Sequence, residues 1–195
     1  MGLDYSYVLL IKQSDEQLLL EHIAQNGSIN ELPEPFGTCV TLDFVLDDIL
    51  SNYLKISIRD FYKDSWIKWR PLDKSKYRNF FPTDTTGRVG CIYLEIKHSP
   101  LSEYAYASFL AATSTMSKLL QESSSIREWF IRLSRITNAS AAFMDLEEQG
   151  FEFIYWQGKN ISATLNEELE VTQNADLDSQ SLIDVCKGYS DLFLT

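Results

Sequence analysis

Residues 89–156 read VGCIYLEIKHSPLSEYAYASFLAATSTMSKLLQESSSIREWFIRLSRITNASAAFMDLEEQGFEFIYW and carry the clearest local signals in the chain. They begin with a mostly aliphatic and aromatic run at 91–97, which is typical of a buried strand. Ser99-Pro100 is typical of a helix start, because serine caps free amides and proline fits the first helical position. Apolar residues then recur at helical spacing from Leu101 to Leu120, so we expect one helix there.

A second helix and two strands complete this stretch. Ser125-Ile126-Arg127-Glu128 has the spacing of a capping box, in which the serine and glutamate side chains reciprocally satisfy backbone amides. Ala141–Glu147 and Phe151–Trp156 are predicted to be strands, joined by a hairpin turn at Gln149-Gly150. The predicted order is therefore strand, helix, helix, strand, strand.

The N-terminal part of the chain predicts a similar alternation. Asp4–Ile11 has strand periodicity, and Ser14 to Gln17 has capping-box spacing at the start of a helix that Asn26-Gly27 ends. Thr38–Leu46 is predicted to be a strand. Two shorter segments follow, a helix at Asp47–Leu54 and a strand at Lys55–Arg59.

Two six-residue segments suggest an internal duplication. Leu9–Ser14 and Leu94–Ser99 agree at four of six positions, and each is predicted to lead from a strand into a serine-capped helix. Either a true repeat, with βαβ-type halves at about 1–60 and 88–157, or the common physics of strand-to-helix junctions explains the match. We expect one α+β domain over residues 1–195, a two-layer fold with helices on one face of the sheet, ferredoxin-like in the broad sense.

The last part of the chain gives a weaker pattern. Residues 161–195 form an acidic segment. Its first part, residues 161–180, has no sustained periodicity of the kind that marks a helix or a strand. Asp178 and Ser181 are both suitable caps for a short last helix, and Gly188 is expected to end it.

Composition excludes several classes of protein. The chain has 195 residues, of which 45% are hydrophobic, enough for a packed core. It has no apolar run approaching about 20 residues, so we expect no membrane span. The N-terminus lacks a basic region followed by an apolar run, and the three cysteines are far apart. We therefore expect no signal peptide, reduced thiols and a cytoplasmic location.

Charge is distributed unevenly along the chain. The formal net charge is −11. Residues 1–54 carry nine acids and one base, and residues 163–195 carry seven acids and one base. Residues 55–78, in contrast, carry eight bases and three acids. The acidic ends therefore flank a basic segment.

The basic segment supports two interpretations. Within residues 55–81 the bases alternate with aromatic residues, an arrangement that holds single-stranded nucleic acid when the rings are exposed. Alternatively the rings are core residues and the Lys and Arg stems cover them. The net charge of −11 would repel a polyanion, so we do not expect nucleic acid as a partner.

The acidic regions also support two interpretations. They either provide solubility alone or form a surface that attracts a basic macromolecule. We expect a non-enzymatic protein that binds a macromolecular partner, in its sharper form an inhibitor or immunity-type protein that neutralises a basic partner. Its contact residues would include Asp43, Asp47 and Asp48.

The alternative is a regulatory domain that binds a small molecule. Its ligand would lie in an aromatic pocket between sheet and helices. The lining would include Tyr5, Tyr7, Tyr104 and Trp156.

Residues that would support catalysis or metal binding are few. His22 and His98 are far apart and have no metal-ligand spacing, so we expect no metal and no cofactor. Carboxylates crowd the last predicted hairpin, where side chains are usually solvated. In a cleft they would hold a cation or act as an acid–base pair. These carboxylates are Asp145, Glu147, Glu148 and Glu152.

Overall fold

The structure is a computed structural model that describes residues 3–33, 37–63, 72–100, 102–166, 168, 170–173 and 177–193. Within these residues the chain forms nine strands and five α-helices. The strands are β1 (Ser6–Lys12), β2 (Gly27–Glu31), β3 (Thr38–Val45), β4 (Thr86–His98), β5 (Tyr104–Ala111), β6 (Ala141–Asp145), β7 (Phe151–Trp156), β8 (Lys159–Leu165) and β9 (Val171–Gln173). The helices are α1 (Glu16–Gln25), α2 (Asp48–Tyr62), α3 (Ser114–Glu122), α4 (Ser124–Ile136) and α5 (Ser179–Phe193).

All nine strands belong to one antiparallel sheet, in the order β2-β3-β4-β5-β1-β6-β7-β8-β9. The α+β class predicted from the sequence is confirmed. The first strand of the chain lies in the middle, because β5 pairs with one of its edges and β6 with the other. Within the described residues, no helix has the length and apolar character needed to cross a membrane.

Strand β1 is apolar on both faces because both faces of the sheet are covered there. Tyr7, Leu9 and Ile11 point into the core formed with α1 to α4. Val8 and Leu10 point into a second core, formed with α5. A strand buried on both faces reads as a continuous hydrophobic run, as SYVLLI does in this chain.

Aromatic rings dominate the first core. The Phe130 ring of α4 stacks on Tyr7 with 4.1 Å between centroids, and it meets Phe109 edge to face at 5.1 Å. Trp129 contacts Phe44 of β3 edge to face at 5.4 Å. Each such pair adds about 0.5–1.5 kcal/mol beyond the area it buries.

The expectation that all helices lie on one face is wrong. Helix α5 packs on the opposite face through Leu182, Cys186 and Tyr189, so the centre of the sheet is covered on both sides. The sequence placed the end of this helix at Gly188, but α5 continues to Phe193. Residues 161–180, expected to lack regular structure, include the end of β8 and all of β9.

Gly188 lies inside α5 because Tyr106 of β5 occupies the space beside it. A Cβ added at Gly188 would lie 2.6 Å from the Tyr106 hydroxyl oxygen. That hydroxyl donates a hydrogen bond to the Val185 carbonyl at 3.0 Å. The glycine therefore leaves room for the Tyr106 hydroxyl to form a hydrogen bond with the backbone of α5.

This contact predicts the effect of two substitutions. Alanine is normally about 1 kcal/mol better than glycine inside a helix. Nevertheless, we expect Gly188→Ala to lower the free energy of unfolding by about 1 kcal/mol. It displaces the Tyr106 hydroxyl and leaves buried polar groups unpaired, which costs about 2 kcal/mol and outweighs the gain in helix propensity. In a Tyr106→Phe background the same change should be neutral or stabilising. Urea denaturation of the four proteins measures both effects, and equal effects in the two backgrounds would contradict the explanation.

The helix predicted between Leu101 and Leu120 is wrong in its first half. Residues 104–111 are β5, which forms a hairpin with β4 through a 2.9 Å hydrogen bond from the Ser99 amide to the Tyr104 carbonyl. Apolar residues occupy nearly every position of β5 because both its faces are covered, and such a run also satisfies helical spacing. Helix α3 then begins at Ser114, capped by Thr113.

The hairpin also removes the basis of the predicted duplication. Leu94–Ser99 leads from β4 into β5, whereas Leu9–Ser14 leads from β1 towards α1. The two junctions are therefore not equivalent, which favours the second explanation of the match, the common physics of strand ends, over a true repeat with βαβ-type halves. The four matching residues reflect similar strand ends.

Two further local predictions were wrong. Lys55–Arg59, predicted to be a strand, continues α2, in which Leu50, Leu54 and Ile58 are buried four residues apart. The cap of α4 is Ser123, whose hydroxyl accepts a hydrogen bond from the Ile126 amide at 3.3 Å, rather than Ser125.

The basic segment is described only in part. Residues 64–71, which include Trp66 and Trp69, lie outside the described residues. Of the other rings, Phe81 is buried, whereas Phe61 is 71% exposed and Tyr62 is 48% exposed.

Candidate functional site

A cavity of about 540 Å³ opens between the sheet and the C-terminal end of α5. We call it the acidic cavity, because five carboxylates line it: Asp4, Glu95, Asp145, Glu147 and Glu148. Four aromatic residues line it as well: Tyr93, Phe151, Tyr189 and Phe193. Among the described residues that line the cavity, none is Lys, Arg or His.

Strand register explains why these side chains meet. Tyr93 pairs with Leu110, Leu110 with Ser6, Ser6 with Asp145, and Asp145 with Phe151. These five residues form one row across β4, β5, β1, β6 and β7, and all of them line the cavity. The floor of the acidic cavity is thus a single row of the sheet.

Asp145 is the most enclosed carboxylate of the cavity. Burial raises the pKa of this carboxyl, and the neighbouring Glu147 charge acts in the same direction. Hydrogen bonds from the Glu147 amide, at 2.9 Å, and from the Tyr189 hydroxyl oppose the increase. An anion held in this way gains more from a nearby cation than a solvated carboxylate would.

Tyr189 connects α5 to the floor of the cavity. Its hydroxyl lies close to the side chains of Ser6, Ser108 and Asp145. Burial, together with the Asp145 charge, raises the pKa of this phenol, so the hydroxyl stays protonated and donates to the carboxylate. The ring also packs edge to face on Phe151 and stacks on Phe193.

A tight connection between β6 and β7 places Glu147 and Glu148 at the rim. Glu147 adopts a left-handed conformation with a φ of +55°. The Leu146 amide donates to the Gly150 carbonyl at 2.9 Å, and the Gly150 amide donates to the Glu147 carbonyl at 3.0 Å. Both glutamates are exposed at this turn.

Lys97 shows how the rim holds a cation. Its ammonium donates to the Leu192 carbonyl at 2.9 Å and lies 3.2 Å from a Glu95 carboxylate oxygen. It also lies over the Phe193 ring, 4.3 Å from the centroid. One carboxylate, one carbonyl and one aromatic face thus surround an ammonium beside the cavity.

The three aspartates proposed from the sequence as partner contacts lie elsewhere. Asp43 forms a bidentate ion pair with Arg88, with N–O distances of 2.7 and 2.8 Å. Asp47 caps α2 by accepting a hydrogen bond from the Leu50 amide at 2.7 Å. Asp48 is exposed in the first turn of α2. Two of these carboxylates therefore already have strong internal partners.

The four aromatic residues proposed as a ligand pocket do not share one cavity within the described residues. Tyr7 is fully buried, with its hydroxyl on the Leu120 carbonyl at 3.1 Å. The Tyr5 hydroxyl accepts a hydrogen bond from Gln149 at 2.7 Å. Tyr104 lines a cavity of about 320 Å³, whereas Trp156 lines another of about 500 Å³.

Three of the four hairpin carboxylates do meet in the acidic cavity. The fourth, Glu152, forms an ion pair with Arg127 at 2.5 Å. His98 lies 2.6 Å from Glu16, and neither His98 nor His22 lines the acidic cavity. In the described part of the chain, no three His, Cys, Asp or Glu side chains are arranged to hold a metal ion.

Sequence reasoning missed the other half of the site. Tyr93, Ser6, Ser108 and Tyr189 were not considered as cavity residues. The alternation of Tyr93 with Glu95 in β4 was the available signal, because it places both side chains on one face of a strand.

Comparison with known proteins assigns no family to this chain. No protein-family model matches it, and the searches of curated proteins and of solved structures found no match. A function is therefore inferred from the chemistry of the site.

Proposed function

We propose that the protein acts by binding rather than by catalysis, and that its acidic cavity receives a positively charged side chain of a basic macromolecular partner. The observation that carries this proposal is the lining of the cavity, where five carboxylates and four aromatic rings converge. The sharper form is an inhibitor or immunity-type protein that neutralises its basic partner.

The chemistry of the cavity suits a Lys or Arg side chain. The carboxylates of Asp145 and the rim glutamates accept charge-assisted hydrogen bonds. The face of Phe151 attracts a cation through the ring quadrupole. Lys97 already makes this combination of contacts at the rim. An incoming ammonium or guanidinium would extend the same arrangement inward.

Charge at longer range supports the same partner. The net charge of −11 would attract a basic protein and accelerate its association, more strongly at low salt. Asp48 is exposed and is the best placed of the three originally proposed aspartates for such a peripheral role. Asp43 and Asp47 contribute mainly within the molecule.

A small cationic molecule is the second candidate. The volume of about 540 Å³ falls in the range of about 300–1,000 Å³ that is typical of ligand pockets. A polyamine would place one ammonium near Asp145 and a second near the rim glutamates. The protein would then be a regulatory domain with a metabolite ligand.

The test compares two double variants with the same change in charge. Glu147→Gln/Glu148→Gln removes two charges at the rim, whereas Glu122→Gln/Glu128→Gln removes two exposed charges on α3 and α4, on the opposite face of the sheet. Calorimetric titration with a lysine- and arginine-rich peptide, and separately with spermidine, measures affinity at low and physiological salt. We expect the rim variant to bind the peptide about 10-fold more weakly, which corresponds to about 1.4 kcal/mol, and the control to stay within about 2-fold.

The outcomes separate the proposals. Binding of spermidine without the peptide would favour the small-molecule function. Equal losses in both variants would mean that general surface charge binds the peptide, and the assignment to the cavity would be wrong. If neither probe binds at low salt, both functions fail.

A further inference from the structure

Two of the three cysteines, Cys39 and Cys91, are diagonal neighbours on the adjacent strands β3 and β4. Cys39 pairs with Tyr93 in the ladder, and Val40 pairs with Ile92. The next pair is Leu42 with Val89, so two residues of β4, Gly90 and Cys91, face one residue of β3. This is a β-bulge, and it interrupts the regular alternation of side chains at Cys91.

The bulge gives Cys91 an unusual conformation. Its φ is +59°, in the left-handed region that residues with a Cβ rarely adopt. The Cys91 side chain is exposed, whereas Cys39 is 5% exposed. Cys39 nevertheless lies close enough to Cys91 for the Cys91 thiol to raise the pKa of Cys39. The exposed thiol of Cys91 therefore has the buried thiol of Cys39 as its neighbour.

We propose that Cys39 and Cys91 form a reversible disulfide bond, in which Cys91 reacts first with an external low-molecular-weight disulfide. The Cys91 thiolate attacks one sulfur of the oxidant, whose S–S bond breaks and releases one thiolate. The Cys39 thiolate then attacks the Cys91 sulfur and releases the second thiolate. The two protein thiols lose two electrons and two protons, and the oxidant disulfide gains both to become two thiols.

The different environments of the two thiols fit these roles. Burial, together with the nearby Cys91, raises the pKa of Cys39, which makes it a poor nucleophile towards molecules in solution. Its contact with Cys91 suits it to the second, intramolecular step. Cys186 is buried in α5, and burial raises its pKa too, so it should remain a thiol throughout.

The bond would affect one wall of the acidic cavity. Tyr93, which pairs with Cys39, lines that cavity. The bond would also close a loop that contains α2, and a cross-link over a long loop stabilises the folded chain. The oxidised protein should therefore melt at a higher temperature than the reduced protein.

The experiment counts free thiols. The folded wild type and three variants, Cys39→Ser, Cys91→Ser and Cys186→Ser, are equilibrated with oxidised and reduced glutathione at several ratios. They are then unfolded in an alkylating agent and weighed by mass spectrometry. We expect the wild type to fall from three alkylated cysteines to one and Cys186→Ser to fall from two to none, with no dimer on a non-reducing gel.

The single-cysteine variants test the roles. Cys39→Ser should stop at a glutathione adduct on Cys91, and Cys91→Ser should keep both of its thiols. The proposal is overturned if the folded wild type keeps three thiols at every ratio, or if it accumulates an adduct that Cys39 never displaces. Thiol loss in Cys91→Ser equal to that of the wild type would also overturn it.

Discussion

Replacing Gly150 with alanine is expected to lower the free energy of unfolding by at least about 3 kcal/mol. Gly150 has φ +89° and ψ −146°, a combination that is essentially restricted to glycine. A Cβ there would lie 2.1 Å from the Leu165 carbonyl oxygen and 2.9 Å from the Asn166 Cα. Because both obstacles are backbone atoms of β8 and the residue after it, relief requires β7 and β8 to separate.

The melting temperature measures this effect. A loss of about 3 kcal/mol corresponds to roughly 6–12 °C for a chain of this size. Gly158 provides the matched control, because its φ is +87° but nothing lies within 4 Å of a Cβ added there. Gly158→Ala should cost only the backbone strain, about 1–2 kcal/mol. Equal losses for the two variants would contradict the importance of the clash.

The hairpin that contains Gly150 was predictable because its signals are local. A turn sequence at Gln149-Gly150 separates two runs of β-forming residues, and the structure contains β6 and β7 on either side of it. Helix α1 was predictable in its position and in its end at Asn26, but the predicted capping box of Ser14 to Gln17 does not form. The helix begins at Glu16 with Asp15 as its N-cap, and the Asp15 side chain makes no capping hydrogen bond. Local rules were therefore sufficient for the turn and for the end of the helix, but not for its cap.

Errors occurred where tertiary burial overrides periodicity. β5 is covered on both faces, so Tyr104 to Ala111 lack the alternation that marks a strand with one exposed face. Gly188 has the residue type of a helix end, but it serves a contact with Tyr106 that is distant in sequence. No local pattern distinguishes these cases from the predictions that were made.

The candidate site was predictable only in its hairpin part. Asp145, Glu147 and Glu148 are close in sequence, and their crowding was visible. The rest of the cavity depends on strand order, because β1 enters the sheet between β5 and β6. Only that order places Ser6 between Leu110 and Asp145 and brings Tyr93 into the same row.

Replacing Asp47 with alanine is the second large effect, an expected loss of about 3 kcal/mol. One carboxylate oxygen accepts from the Leu50 amide at 2.7 Å and caps α2. The other accepts from the Ser123 hydroxyl at 2.7 Å and from the Ser125 amide at 3.1 Å, in the first turn of α4. One side chain thus accepts hydrogen bonds from the N-terminal turns of two helices. Alanine at position 47 would remove all of these bonds.

Asparagine at position 47 separates the two contributions. Its amide oxygen can still accept from Leu50, but its NH₂ group cannot accept from the Ser125 N–H. We therefore expect Asp47→Asn to lose about half as much stability as Asp47→Ala in urea denaturation. Asp48→Ala should cost well under 1 kcal/mol, because Asp48 is exposed and does not provide the cap. Equal losses in Asp47→Asn and Asp47→Ala would mean that the α2 cap contributes nothing.

The pH dependence of stability identifies the charge on Asp47. Burial raises the pKa of this carboxyl, but the hydrogen bonds from Leu50, Ser123 and Ser125 outweigh burial and lower it overall. A pKa that is lower in the folded state than in the unfolded state means that the ionised form stabilises the fold. This contribution is complete above the unfolded value of about 3.9 and is lost as the pH falls through the lower, folded value.

The stability difference between wild type and Asp47→Asn should therefore be constant from about pH 5 to 7 and shrink below about pH 4. A difference that stays constant into acid would show that hydrogen-bond geometry, without the charge, holds the two helices.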